Sequence, residues 1–287
     1  LKGKKAMYLG LDIGGSKISA VLISQSKQIE DAKVKTPHTK ELFKKTLLKL
    51  VSQFFNRWSG QIFGVGVGMA GVLDNKKGLV INSPNLTFLN GFNVISFLRQ
   101  KFHTKVLVDN DARCFLRAEK LLGAAKLYKN VVGVVIGTGV GGALIIDNGI
   151  FRGSAGSAGE IGHTIIDKNS ALENLASEKF FYKRTKKSPI EVARLARTGN
   201  KSAKKLYQEM GDNLGIGLAN LINTINPEAV ILGGGISNDF DLFLPSAIKT
   251  VRKLVLSPKA KKTKIIKAKF GVRAGAIGAA TLFDKGI

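Results

Sequence analysis

The sequence predicts an α/β protein built from two related halves. Three observations carry that prediction. A strand, a glycine-bearing turn and a second strand at Met7 to Ile23 recur at Val131 to Ile146, about 125 positions later. Both copies are followed by segments that alternate between strand-like and helix-like patterning. The chain has 287 residues, 44% apolar and 23% charged, which is enough for two lobes or one large domain and excludes a wholly disordered chain.

The elements follow in order. Met7 to Leu11 reads as a strand, Asp12 to Lys17 as a turn and Ile18 to Ile23 as its returning strand. From Glu41 to Trp58 the apolar residues Leu42, Leu47, Leu48, Val51, Phe54 and Phe55 recur at helical spacing. Phe63 to Met69 returns to strand, Phe92 to Phe102 to helix, Val106 to Val108 to strand and Asp111 to Leu122 to helix. The second copy places strands at Val131 to Ile136 and Ala143 to Ile146 around the turn Gly137 to Gly142. Helices are expected at Pro189 to Thr198 and Ala203 to Ile225, and a short buried strand at Ala229 to Leu232 ahead of Gly233-Gly234-Gly235. The small-residue tail from Arg273 to Phe283 reads as a closely packed helix.

Charge and cysteine usage narrow the classes. Lys plus Arg number 45 against 20 Asp plus Glu, a formal charge of +25. The cations are scattered: Lys2 to Lys5, Lys44–Lys45, Lys76–Lys77, Lys183 to Lys187 and Lys259 to Lys269, with no aromatic residues interleaved. That pattern describes solvated faces rather than a nucleic-acid surface. The single cysteine, Cys114, excludes an internal disulfide framework and any multi-cysteine zinc site. The opening shows no signal peptide, and the longest uncharged apolar run, Val131 to Ile146, carries five glycines and falls short of the ~20 residues of a membrane helix. A cytoplasmic, reduced enzyme is the expectation.

Glycine turns supply the first chemistry. A phosphate chain needs backbone N–H groups close by, and a Cβ blocks that approach. Gly14–Gly15, Gly137 to Gly142 and Gly233 to Gly235 each follow an apolar strand, and two carry a hydroxyl, Ser16 and Thr138. None is a Walker loop or a G-x-G-x-x-G opening a helix, so nucleotide binding is expected outside the P-loop and Rossmann classes. Asp12 interrupts its strand at such a tip, where a carboxylate either holds Mg²⁺ or closes an Asx turn. Asn110-Asp111 opens a helix. Asp111 there is either a simple helix cap or a general base toward a substrate hydroxyl, with Asn110 suited to a polyol. Glu160 and His163 stand three positions apart and would share a helix face. Glu173 follows soon after.

At these residues the sequence resembles the ROK (repressor, open reading frame, kinase) family of bacterial sugar kinases, within the actin-like ATPase superfamily. The matching segments are LGLDIGGSK, GVGMAGVLD, SPNL, VDNDAR, GTGVGGALI, GSAGSAGEIGH, LENLAS and INPEAVILGGGIS, in family order from Leu9 to Ser237. The resemblance implies a two-lobed, ribonuclease H-like fold with a central cleft that closes to exclude water. Its small lobe would be residues 1–112 with the tail 273–287, and its large lobe 113–272. It implies ATP-dependent phosphorylation of a hexose, by default glucose to glucose 6-phosphate, with fructose, N-acetylmannosamine, N-acetylglucosamine and allose as other acceptors. Asp111 resembles the catalytic base, and Gly71, Asn85, Asn110, Glu160, His163 and Glu173 resemble the sugar contacts. Asp12, Gly14, Gly15 and Ser16, then Gly137, Thr138 and Gly139, then Gly234 and Gly235 resemble the nucleotide side, with Lys17 reaching toward phosphates and Mg²⁺ held near Asp12. The family also implies a homodimer or homotetramer.

One departure is large. The family's C-x-C-G-x-x-G-C-x-E zinc loop is replaced by the shortened Asp167 to Glu173, without cysteines, so no structural zinc is expected. No helix-turn-helix precedes the first motif, which speaks against the repressor branch. Polyphosphate as donor, and a sugar-binding relative without turnover, stay open beside the ATP kinase.

Overall fold

The computed structural model describes residues 6–25, 27–284 and 286; the basic opening, Leu1 to Lys5, lies outside them. The chain begins with strands β1 (Met7–Ile13), β2 (Lys17–Ser24) and β3 (Lys27–Lys35), then helix α1 (Lys40–Arg57). Strands β4 (Ile62–Met69), β5 (Val72–Asp74) and β6 (Leu79–Asn82) lead to α2 (Val94–Phe102), β7 (Lys105–Asn110) and α3 (Asp111–Leu122). The second series is β8 (Val131–Ile136), β9 (Val140–Ile146), β10 (Gly149–Phe151), β11 (Ile165–Asp167) and β12 (Ser170–Ala171). Helices α4 (Leu172–Leu175), α5 (Glu178–Thr185), α6 (Pro189–Arg197) and α7 (Lys201–Ile225) follow. The chain ends with β13 (Ala229–Gly233), α8 (Phe240–Leu254), β14 (Lys264–Lys267) and α9 (Ala274–Ala280).

The duplication is real at the level of topology. One five-stranded sheet runs β3-β2-β1-β4-β7 and the other β10-β9-β8-β13-β14. In each, three antiparallel strands are extended by two parallel ones. The unit that recurs, β1–turn–β2 and β8–turn–β9, is thus the hairpin at the same place in both sheets.

Two compact units result, Leu1–Gly123 with Gly153–Ser157 and Arg273–Ile287, and Ala124–Arg152 with Ala158–Val272. The boundary falls at 123 rather than the expected 112, because α3 packs on α9. All seven residues of α9 are buried. A Cβ on Gly66 of β4 would lie 1.8 Å from the Ala279 carbonyl oxygen, and one on Gly278 would lie 1.6 Å from that of Cys114. Sheet, α9 and α3 therefore meet backbone to backbone, and small residues on both sides of the contact are what permit it.

Local signals explain most ends. Thr39 and Ser188 cap α1 and α6 through their side chains, the second as a full capping box with Glu191. Helix α7 stops where Asn226 takes the left-handed conformation. The first core gathers Leu9, Leu11, Phe43, Leu47 and Val67, the second Val134, Phe181, Tyr207, Leu214 and Ile231's neighbours Val230 and Leu232. Strand β3, unforeseen from sequence, is a mostly exposed edge whose alternation is diluted by lysines. Helix α8 was likewise unforeseen; it carries Pro245 inside it.

Candidate active site

The first unit gathers polar groups at the C-terminal ends of its parallel strands, where α/β sheets present ligand sites. Register sets Asp12 beside Gly68 and Gly68 beside Asp109, so the ends of β1, β4 and β7 lie level. Asn110 caps α3, its Oδ1 accepting from the N–H groups of Ala112 (2.9 Å) and Arg113 (3.2 Å). Its Nδ2 donates to the Gly71 carbonyl at 3.3 Å. Gly71 has φ +107°, and a Cβ there would sit 2.4 Å from the Asn82 oxygen, so only glycine fits. Asp111 is the first residue of α3, and the Ala112 N–H reaches its Oδ1 at 2.9 Å. The N-cap of α3 is thus Asn110 and not Asp111.

The β1–β2 turn is fastened from β3's end of the sheet. Gly14 donates to the Lys17 carbonyl at 3.0 Å, and the Thr36 hydroxyl donates to the Gly14 carbonyl at 2.7 Å. Gly15 comes up against Asn85, where a Cβ would be 3.0 Å from the Asn85 Cβ. Ser83 ties the SPNL segment to the strand end by donating to the Ala70 carbonyl at 2.8 Å. Ser16 is exposed and Lys17 half-buried. Asp12, Gly14, Gly15, Gly71, Asn110 and Asp111, spread over a hundred positions, thus share one strand-end region, with Asn85 on its border.

Asp12 is electrostatically tense. It keeps some accessible surface, yet its carboxylate lies against α9, where a Cβ on Gly275 would meet Oδ2 at 2.6 Å. Burial above all, then the charge of Asp111, pushes its pKa up to about 7, with Lys17 pulling the other way. The unfolded chain gives up that proton near 3.8. Between those values the native state holds a proton the unfolded state does not, so stability contributed at this site falls as pH rises from about 4 to about 7 and is flat above. Asp12→Asn should flatten the pH dependence of Tm and raise Tm at pH 7.5. Melting both proteins from pH 4.5 to 8 in chelator without nucleotide checks this, and parallel slopes would refute it.

The same position fits a divalent cation brought in by a phosphate ligand. The excess negative charge of Asp12 and Asp111 favours one. Among the described residues no three His, Cys, Asp or Glu side chains gather into a metal site, so phosphate and water oxygens would have to complete the ion's shell.

The second unit joins two glycine turns. Strands β8 and β13 run parallel, and Gly234, at φ +87°, packs so tightly on the end of β8 that a Cβ would stand 2.3 Å from the Ile136 oxygen. Gly137 donates to the Gly139 carbonyl at 2.9 Å. Helix α5 is stitched to this turn: the Glu178 N–H donates to the Gly137 carbonyl at 2.9 Å, and the Thr138 hydroxyl donates to the Glu178 carboxylate at 3.2 Å. Gly235, with open space around its Cβ position, starts a short 3₁₀ helix, Gly235–Asp239.

Glu173 reaches the same turn. Its Oε2 accepts from the Val140 N–H at 3.1 Å, its other oxygen pairs with Lys179, and a Cβ on Gly139 would collide with it at 2.1 Å. Glu160 and His163 are both exposed, at the two ends of a single 3₁₀ turn, Ile161–His163, rather than on one face of an α-helix. The neighbouring glycines explain the departure: Gly159, just before Glu160, has φ +101°, and a Cβ on Gly162 would lie 2.1 Å from the Val140 oxygen, which presses the segment flat on β9.

Backbone pairing holds the shortened loop in place of cysteines. Strands β11 and β12 form a tight antiparallel hairpin turning through Lys168 and Asn169 at positive φ, and the Leu172 N–H bonds the Thr164 carbonyl at 2.9 Å. Glu173 is thereby delivered next to the 161–164 turn. Sequence reasoning missed Arg113, Glu178 and Lys179, all of which bind site residues or their loops; only position after a motif could have pointed to them.

Comparison with known proteins decides the family. The model of the ROK family matches residues 8–286. The chain belongs to the ROK family. It is similar to N-acetyl-D-glucosamine kinase of Photobacterium profundum, 31% identical with 96% of this chain and 99% of that protein covered. It is also similar to the xylose repressor of Caldicellulosiruptor bescii, 29% identical over 94% of this chain and 76% of the repressor. Among solved structures, the ROK glucokinase of Streptomyces griseus in complex with glucose and AMPPNP superposes with a TM-score of 0.86 at 27% identity, covering 96% of this chain and 99% of that one. The fold of this ROK protein is accordingly that of the actin-like ATPase and sugar kinase structures. None of its described helices is long and apolar enough to cross a membrane.

Proposed function

We propose that this ROK protein is an ATP-dependent hexose kinase acting on glucose, with Asp111 as the general base. The observation that carries the reading is the strand-end cluster of the first unit: a carboxylate at the start of α3, flanked by an Asn110 that is bonded to Gly71 and backed by Asp12. Similarity to kinases of glucose and N-acetylglucosamine supports it.

Each residue then has a task. Asn110, Asn85 and the Gly71 backbone orient the sugar, since amides both donate and accept and reject analogues lacking a hydroxyl. Glu160, His163 and Glu173 contribute further hydroxyl contacts. Asp111 takes the proton of the attacking hydroxyl. The N–H groups of the turns at Gly14–Gly15, Gly137 to Gly139 and Gly234–Gly235 offer donors to phosphate oxygens, with Ser16, Thr138 and Lys17 beside them. Asp12 would hold Mg²⁺ through the phosphates, and when bound that ion with ATP supplies a neutralised, transferable phosphoryl group. We place the protein in the cytoplasm as a homodimer or homotetramer.

A second donor is favoured by one feature. A cavity of about 510 Å³ in the second unit is lined by Lys179, Lys183 and Arg184 with Ser170 and Asn174, and it adjoins the helix stitched to the Gly137 turn. Polyphosphate would suit those cations, of which Lys179 and Arg184 now pair with Glu173 and Glu209, and a polyphosphate/ATP-glucomannokinase from Arthrobacter superposes with a TM-score of 0.71 at 25% identity, covering 96% of this chain and 97% of that one.

The test is a panel of glucose, N-acetylglucosamine, N-acetylmannosamine, fructose and allose, each with ATP and with polyphosphate, followed by coupled detection of sugar phosphate. Glucose with ATP should give the highest kcat/KM. Sugar binding in a calorimeter with no phosphorylation by either donor would instead make the protein a sensor, as the resemblance to xylose repressors allows.

A further inference from the structure

We propose that Arg113 is a positioning residue for the hexose, tying the Gly153–Ser157 segment to the strand end that carries Asn110 and Asp111; the proposal rests on the kinase reading above. Arg113 lies on the first turn of α3 and is 5% exposed. Its Nε donates to Asp109 Oδ1 at 2.6 Å, and Asp109 is itself 3% exposed. Its Nη1 donates to the Gly156 carbonyl at 2.7 Å. One guanidinium therefore spans two partners that lie 47 positions apart, Asp109 on β7 and Gly156 in a segment that joins the first unit for five residues only.

Asp109 is built to receive it. The same Oδ1 accepts from Asn75 Nδ2 at 3.0 Å and from the Asn110 N–H at 2.8 Å. Orienting Asn75 this way leaves its own Oδ1 buried without a hydrogen-bond partner, a cost the structure accepts. Buried ion pairs are poor sources of stability, because desolvating both charges offsets their attraction. What this one secures is geometry. Gly156 turns at φ +75°, and Glu160 begins only four residues later. Holding the Gly156 carbonyl on α3 fixes the point from which the Glu160–His163 turn departs. The planar fork of arginine serves two directions at once, which a lysine ammonium on a flexible stem cannot.

The experiment uses the full chain and three proteins: Arg113→Lys, Arg113→Met, and Arg113→Met combined with Asp109→Asn. The last removes both charges of the pair, so that a folded protein is available even where the single Met variant, which takes away only the guanidinium of the Arg113–Asp109 pair, does not fold. Steady-state kinetics with glucose and ATP are read beside hydrogen exchange of the 152–164 stretch. Loss of a charge-assisted hydrogen bond corresponds to about a 10- to 100-fold change. The glucose KM should rise by about that factor in Arg113→Lys and in the double variant, with the ATP KM and kcat within about threefold and faster exchange confined to 152–164. Unchanged glucose KM, or glucose KM, ATP KM and kcat all shifting together, would overturn the proposal while leaving the kinase reading intact. A wild-type chain that neither binds nor phosphorylates any hexose would overturn the kinase reading, and this proposal with it.

Discussion

Asp111→Ala is expected to fold as the parent does and to lose phosphoryl transfer by about 10²–10⁴-fold, the usual worth of a general base. Folding survives because the N-cap of α3 is Asn110, which stays in place when the Asp111 carboxylate and its bond from the Ala112 N–H are removed. Asn110 satisfies the N–H groups of Ala112 and Arg113, and N-cap residues, not the residue after them, carry most of that stability. Sugar binding survives because Asn110 keeps its bond to Gly71. The loss therefore falls on kcat. A second consequence is electrostatic. The charge of Asp111 is one of the causes that raise the pKa of Asp12, so the variant brings that pKa down. The measurement is single-turnover phosphorylation with calorimetric sugar affinity on the same preparation. Full activity in Asp111→Ala would remove Asp111 from the mechanism.

Gly66→Ala is expected to cost about 3–5 kcal/mol, which is among the largest effects a single methyl group can have. The added carbon would stand 1.8 Å from the Ala279 carbonyl oxygen and 2.5 Å from its carbonyl carbon. No rotamer relieves a clash of backbone on Cβ, so α9 must lift off the sheet. Its seven buried residues lose their seat, and α3 loses the contact at Gly278 that keeps it in the first unit. With total stabilities commonly about 5–15 kcal/mol, much of the folded population is at risk. Urea denaturation reports the change. Gly149→Ala is the control, since the nearest atom to a Cβ there is 3.6 Å away; it should stay within about 1 kcal/mol of wild type. Equal midpoints for the two variants would show that α9 is not seated as described.

Elements with strong local signals were legible in the chain. The 3.6-residue periodicity of Glu41 to Trp58 and of Ala203 to Ile225 matches α1 and α7 closely, because each buries one face and caps itself. The repeated hairpin predicted two sheets of common plan, and both have it. Elements whose signal is shared with a partner were not. Strand β14 is four residues, Lys264–Lys267, at the sheet edge, held by pairing with β13 and by Ile265 packed on the second core. The Glu160–His163 spacing looked helical, but its glycines answer to β9, which the local pattern does not mention.

By itself the amino-acid sequence determined the fold class, the duplicated plan, the family and the residue types that carry chemistry, since motifs such as LGLDIGGSK and VDNDAR are written in consecutive positions. Only the tertiary structure decided which of them meet. Asp12 acquires its raised pKa first from the burial that α9, at the far end of the chain, helps impose, and then from Asp111, ninety-nine positions on. Glu173 finds the Val140 N–H across 33 positions, and Arg113 finds Gly156 across 43. Charge interaction and desolvation depend on distance through space and on what excludes water, and neither quantity is encoded in sequence separation.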